Sequence, residues 1–113
     1  MKISNNIEFN PIRQTILVNG EKMSWVRRQN GRDRLCNQLS TKESQLLEFL
    51  LQNKNNVVSV ENTLQTLWVD VNFNNKRSAD VYINFLRNLL GKWIKIETVY
   101  GGGWKLTTIT TKI

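Results

Sequence analysis

The sequence predicts an α+β fold: a small N-terminal antiparallel sheet over 1–39, three helices over 40–91 and a C-terminal β-hairpin over 92–109. Three observations lead there. Short apolar–polar alternations, punctuated by Asn-Gly pairs, fill the first third of the chain. Helical spacing governs the middle, opened by a capping box at Ser40–Glu43. Two alternating runs then flank three consecutive glycines. The chain has 113 residues, and 1–113 is expected to form one domain.

Sixteen Lys and Arg against nine Asp and Glu give a formal charge of +7. That excess suits an anionic partner, nucleic acid or an acidic membrane surface; the other reading is a merely basic soluble protein, and charge alone does not choose between them. The chain has no histidine and one cysteine, Cys36. His-based triads and the common zinc sites are therefore excluded, and Cys36 reads as a small apolar residue. No paired acids or phosphate-binding loop suggest an enzyme, and no metal or cofactor is expected. The longest dense apolar run, Leu46 to Leu51, is broken by Glu48 and is too short to span a bilayer. A cytoplasmic location is expected.

Taken in order, Ile7-Glu8-Phe9 alternates as a strand and Asn10-Pro11 turns the chain. Thr15–Val18 is β-rich, and Asn19-Gly20 predicts a tight hairpin into a strand at Met23–Val26. Asn30-Gly31 predicts a second hairpin, returning along Leu35–Leu39, with Arg27, Arg28, Arg32 and Arg34 around its tip. Those arginines read first as a solvated strand edge that resists aggregation; a phosphate-contacting tip is the alternative. After the capping box, Leu46, Leu47, Leu50 and Leu51 give the first helix a wide apolar face, with Leu39 placed to staple its start. Val57-Val58 is an apolar entry to a second helix, capped by Ser59 and running over about 60–68. An Asn-rich connection at 69–75 is too long for the tightest helix-turn-helix. Asn74 or Asn75 is expected to cap the third helix, 76–90, and Gly91 to end it in the left-handed conformation. Trp93–Val99 and Trp104–Ile109 are the last two strands, and the tail from Thr110 carries no signal.

The third helix has an ordinary core stripe in Ala79, Ile83, Leu86 and Leu90. At about 100° per residue, Arg77, Val81, Asn84, Phe85 and Asn88 share the opposite face. A solvated face has no reason to carry Val and Phe among such residues, so this one is expected to lie against a partner. Tyr82 and Leu89 fall between the two faces.

The order of elements and four motifs resemble the OmpR/PhoB-type winged helix-turn-helix family. L-S-T-K-E-S-Q-L-L-E-F-L-L at 39–51 is similar to its first helix, and V-V-S-V-E-N-T-L-Q-T-L-W at 57–68 to its second. S-A-D-V-Y-I-N-F-L-R-N-L-L at 78–90 resembles its recognition helix, and I-E-T-V-Y-G-G-G-W-K-L at 96–106 its wing. The resemblance implies a sequence-specific DNA-binding transcription regulator, with the third helix in the major groove and the wing, 98–104, at the minor groove or backbone. Lys76, Arg77 and Ser78 would then lie near phosphate. Val81, Tyr82, Asn84, Phe85 and Asn88 would line the groove, and Thr98, Tyr100 and Gly102 would serve the wing. Arg87 would contact phosphate or form an internal ion pair. The glycines at 101–103 read either as a close approach to the sugar-phosphate backbone or only as a tight turn.

Further partners implied are RNA polymerase through loop 69–75 and a second copy on the DNA. In the receiver-less ToxR-like branch a membrane would be engaged only through a segment outside this chain. Three departures stand out. Asn84 and Phe85 occupy mid-helix positions where the family often has arginine, Tyr100 replaces a wing arginine, and 22–38 is longer than usual. The alternative function is a protein-interaction module using the Val81/Phe85 face.

Overall fold

The computed structural model describes residues 1–109; the tail 110–113, expected to belong to the same domain, lies outside them. Four short strands open the chain: β1 (Lys2–Ser4), β2 (Ile7–Asn10), β3 (Thr15–Val18) and β4 (Glu21–Lys22). They form an antiparallel sheet in sequential order. Alternation sets its faces, as Ile7 and Phe9 are buried while Glu8 between them is exposed. The β3–β4 turn has Asn19 at φ 52° and Gly20 at φ 82°, the pair of left-handed residues that a two-residue hairpin favours.

Among the described residues, β5 (Trp25–Gln29) and β6 (Arg32–Cys36) pair only with each other. The sequence reading expected one small sheet and placed a single strand over 23–26. The chain instead leaves the first sheet after Lys22, and β5 begins a separate two-stranded arm at Trp25. Nothing in the sequence marks β1, because Lys2-Ile3-Ser4 offers one apolar residue and no pattern.

Helix α1 (Thr41–Gln52) starts at the expected capping box. Ser40 Oγ accepts from Glu43 N–H, and Glu43 Oε1 accepts from Ser40 N–H at 2.8 Å. Val57–Val58, read as a helix entry, is a strand, β7. It is followed by α2 (Val60–Leu67) and α3 (Phe73–Leu89), then by β8 (Ile94–Val99) and β9 (Gly103–Thr108). These strands form a three-stranded sheet in the order β7-β9-β8.

α3 begins one turn earlier than expected, because Asn72 rather than Asn74 or Asn75 is its cap, accepting from Asn75 N–H at 2.8 Å. Starting at Phe73 shortens the connection from α2 to Trp68–Asn72. Gly91 is not in the left-handed region; the helix ends on Leu90 at φ −109°. Glycine is needed there for closeness, since a Cβ on Gly91 would sit 2.9 Å from the Arg87 carbonyl oxygen. Gly103 is tighter still: a Cβ would lie 1.9 Å from the Val58 carbonyl oxygen, where β9 crosses β7. Two of the three wing glycines therefore fall in the turn, and the third is a packing residue.

The core joins all layers. Leu46, Leu47 and Leu50 of α1 meet Leu64 of α2, Ile83, Leu86 and Leu90 of α3, Ile94 and Leu106 of the last hairpin, and Phe9 and Ile16 of the first sheet. Each such side chain contributes about 1.5–3 kcal/mol relative to exposure. Among the described residues, no helix is long and apolar enough to cross a membrane.

Candidate nucleic-acid interface

The core stripe of α3 turns its other residues outward. Arg77, Val81, Asn84 and Asn88 are exposed, with Val81 60% accessible. Together they form one continuous stripe along the helix. Elements on either side hold the helix and frame that stripe.

The wing frames one side. Arg87 Nε donates to the Ile96 carbonyl at 2.9 Å, Nη2 donates to Thr98 Oγ1 at 3.1 Å, and Nη1 donates to Asn84 Oδ1 at 2.9 Å. The guanidinium thus ties α3 to β8. It also orients the Asn84 amide: a donor-only group must face its oxygen, so the NH2 is turned away from the wing. Beyond Thr98 the turn carries Tyr100 fully into solvent. Gly102 is half-buried against Val99.

The β5–β6 arm frames the other side. The Trp25 ring meets Phe85 edge-on, with centroids 6.2 Å apart. The Arg27 guanidinium lies 4.4 Å above the Phe85 ring and pairs with the Glu43 carboxylate. Glu43 is 2% exposed, so the capping box carries a buried charge, and Arg27 is its counterion. Glu43, Arg27 and Phe85 therefore link the start of α1, the arm and α3.

A third contact locks α2 to α3. Tyr82 stacks on Trp68 at 6.1 Å, and Lys42 Nζ sits 5.2 Å over the Trp68 ring while donating to the Leu67 carbonyl.

Several expectations need correction. Phe85 does not lie open on the outer face. It is half-buried under Arg27 and Trp25, because the extended 22–38 region supplies a second surface that a helical wheel cannot show. The apolar Val81/Phe85 patch is thereby reduced to Val81. Tyr82 packs sideways on Trp68 rather than into an open groove surface. Arg87 forms no ion pair among the described residues and hydrogen-bonds the wing instead. Lys76 lies 3.8 Å from Asp80, an exposed i,i+4 pair of little energetic weight. Ser78 is half-buried, whereas Arg77, Asn88 and Thr98 are exposed.

The sequence gives no sign that Glu43, Trp25 and Trp68 shape the site, and it marks Arg27 only as one of the hairpin arginines, not as the partner of Glu43 and Phe85. Glu43 was identified as a cap, but its burial has no one-dimensional signature. The unusual length of 22–38 was the available hint for Trp25 and Arg27.

Three helices, the third presenting an exposed polar stripe, with a β-hairpin beside it, define the winged helix-turn-helix class. Residues 34–106 match the family model "Transcriptional regulatory protein, C terminal". The chain belongs to that family and has its OmpR/PhoB-type winged-helix DNA-binding fold. The transcriptional regulatory protein RprY of Bacteroides fragilis is 43% identical over 72 residues, covering 62% of this chain and 30% of RprY. The DNA-binding domain of CpxR from E. coli superposes with a TM-score of 0.66 at 23% identity, covering 94% of each chain. The AdeR DNA-binding domain, solved in complex with an intercistronic region, gives a TM-score of 0.63 at 17% identity, covering 95% of this chain and 99% of that one. Most of the β5–β6 arm precedes the region matched by the family model.

Proposed function

We propose that this chain binds promoter DNA with α3 in the major groove and the wing at the adjacent minor groove or backbone. The observation that carries this reading is the Arg77–Val81–Asn84–Asn88 stripe, exposed along a helix that is fastened to the protein through its core face and through Arg87, Phe85 and Tyr82. Asn84 and Asn88 match adenine edges in their hydrogen-bonding capacity, and Val81 suits a thymine methyl. Arg77, one turn into the helix, suits phosphate. The preferred sites therefore contain A·T pairs. A single domain offers few base contacts, so two copies occupy neighbouring repeats. Such a role places the domain in the cytoplasm with the chromosome.

The test is site selection from a randomised duplex pool, followed by binding of variants to the selected site and to random DNA. Asn84→Ala loses about 1–3 kcal/mol on the selected site and little on random DNA. Equal losses on both duplexes sink the groove placement. Sedimentation of the complex reads the number of copies bound.

A protein contact accompanies the DNA contact. Val69, 80% exposed, and Val71 lie in the short α2–α3 connection, and Phe73, 75% exposed, opens α3 directly after it. This apolar cluster lies where the family resemblance implies contact with RNA polymerase. Crosslinking from a photoreactive residue at position 71 to purified polymerase on promoter DNA tests it; no polymerase adduct removes the proposal.

A further inference from the structure

We infer that the β5–β6 arm is a second DNA-backbone clamp, acting through Arg32 and Arg34 on the flank of α3 away from the wing. The inference rests on the proposed placement of α3 in the groove and adds a contact beyond it.

The position of the arm follows from its contacts. Trp25 and Arg27 lie on one face of the arm, and that face meets α3 at Phe85. On a helical wheel, Phe85 and Arg87 fall on opposite sides of the Val81–Asn84–Asn88 stripe. Arg87 reaches the wing, so the arm borders the other side. The stripe is thus flanked by two β-hairpins.

Strand register then places the charges. Arg34 lies opposite Arg27, and Arg32 lies opposite Gln29. Directly paired residues share a face of the pleat, so Arg32 and Arg34 extend the face that lies on α3. Arg28 and Asp33, also opposite each other, occupy the outward face. Residues 28–35 are all exposed, so the arm projects from the body toward its Asn30-Gly31 tip.

Charge separates a contacting face from a merely soluble edge. Glu43 neutralises Arg27. Arg32 and Arg34 make no ion pair among the described residues; Arg34 has only a long contact from Nη1 to Gln29 Oε1 at 3.4 Å. With Arg27 compensated by Glu43, the charges on this face without a carboxylate partner among the described residues are those of Arg32 and Arg34. A phosphate row is the ligand that suits them, since each phosphate contact releases condensed counterions. The need is visible elsewhere on the interface: Asn84 stands at the middle of α3 and Tyr100 at the wing, both uncharged.

The experiment measures binding of the chain to a random-sequence duplex over a salt titration. The double variant R32Q/R34Q is expected to lower the slope of log K against log salt by about 1.8, from about 0.9 per phosphate lost. Arg28→Gln removes the same kind of charge from the outward face and is expected to leave the slope unchanged. Arg77→Gln reports on α3 independently. If Arg77→Gln lowers the slope and R32Q/R34Q does not, the arm inference fails while the α3 reading stands. A slope change in Arg28→Gln as large as that per charge in the double variant also overturns it, because the effect is then general charge. If the wild-type chain shows no salt-dependent binding, both readings fall. Thermal melts and single Arg34→Gln titrations confirm that each comparison concerns folded protein.

Discussion

Arg87 Nε and the Ile96 carbonyl oxygen lie 2.9 Å apart, joining the last turns of α3 to the first wing strand. With Thr98 and Asn84 also held by the guanidinium, one side chain sets the angle between helix and wing and orients an amide on the outer stripe.

Arg87→Met removes all three bonds and is expected to cost about 1–3 kcal/mol of stability, the range for hydrogen bonds to charged groups and the partners they leave. Specific DNA affinity falls with it, because the wing is no longer held. The salt slope is expected to change by less than half a unit, since the guanidinium donates to Ile96, Thr98 and Asn84. A drop of a full unit places Arg87 on the DNA backbone.

Glu43→Ala breaks the capping box and strips Arg27 of its counterion. A fully buried pair loses about 3–5 kcal/mol when one partner is removed; Arg27 is about a third exposed, so roughly 2–4 kcal/mol is expected here. Urea unfolding with an unchanged m-value checks it. Gln at the same position keeps a side-chain acceptor for the Ser40 amide and recovers about 1 kcal/mol of the loss, the worth of a typical cap.

Gly101 and Gly103 separate conformation from space. Both have positive φ, 74° and 123°, but a Cβ on Gly101 meets nothing within 4 Å while one on Gly103 meets the Val58 carbonyl. Gly101→Ala is expected to cost about 1–2 kcal/mol, the left-handed penalty. Gly103→Ala adds overpacking of about 1–3 kcal/mol and parts β7 from β9. Amide exchange at Val58 and neighbouring β9 residues shows the difference.

Trp25 joins the arm to α3, yet its indole Nε1 is buried without a hydrogen-bond partner among the described residues. Trp25→Phe keeps an aromatic ring on Phe85 and removes the unpaired donor, so it is expected to lie within about 1 kcal/mol of wild type. Trp25→Ala is expected to cost about 3–5 kcal/mol and free the arm. Calorimetric melting of the two variants separates ring from N–H.

Val69 has φ 71°, a left-handed conformation that costs a β-branched residue on the order of 1–2 kcal/mol. Val69→Asn is expected to stabilise the domain by about 0.5–1 kcal/mol, since Asn tolerates that region. DNA affinity stays unchanged. If the proposed polymerase contact holds, Val69→Asn lowers transcription from a bound promoter, which an in vitro transcription assay reads directly.

Most of the scaffold was legible in one dimension because its signals are local. The Ser40–Glu43 box needs four consecutive residues, the hairpins need Asn-Gly, and the α3 core stripe needs only the helical repeat. Where a signal was duplicated the choice slipped: three nearby asparagines could cap α3, and the structure uses Asn72. β1 and β7 escaped notice because strands of three and two residues draw their stability from long-range partners, here β2 and β9.

Sequence alone determined the order of elements, the apolar face of each helix, the excess positive charge and the family resemblance. Tertiary structure decided which residues remain open on α3. A wheel knows one core, but α3 is contacted by three other surfaces: the wing through Arg87, the arm through Phe85 and Trp68 through Tyr82. The partners of these three side chains lie between 9 and 60 positions away in the chain. No periodicity encodes such pairings. They arise only when the folded chain brings Trp25 and Arg27 across Phe85, leaving Arg77, Val81, Asn84 and Asn88 exposed.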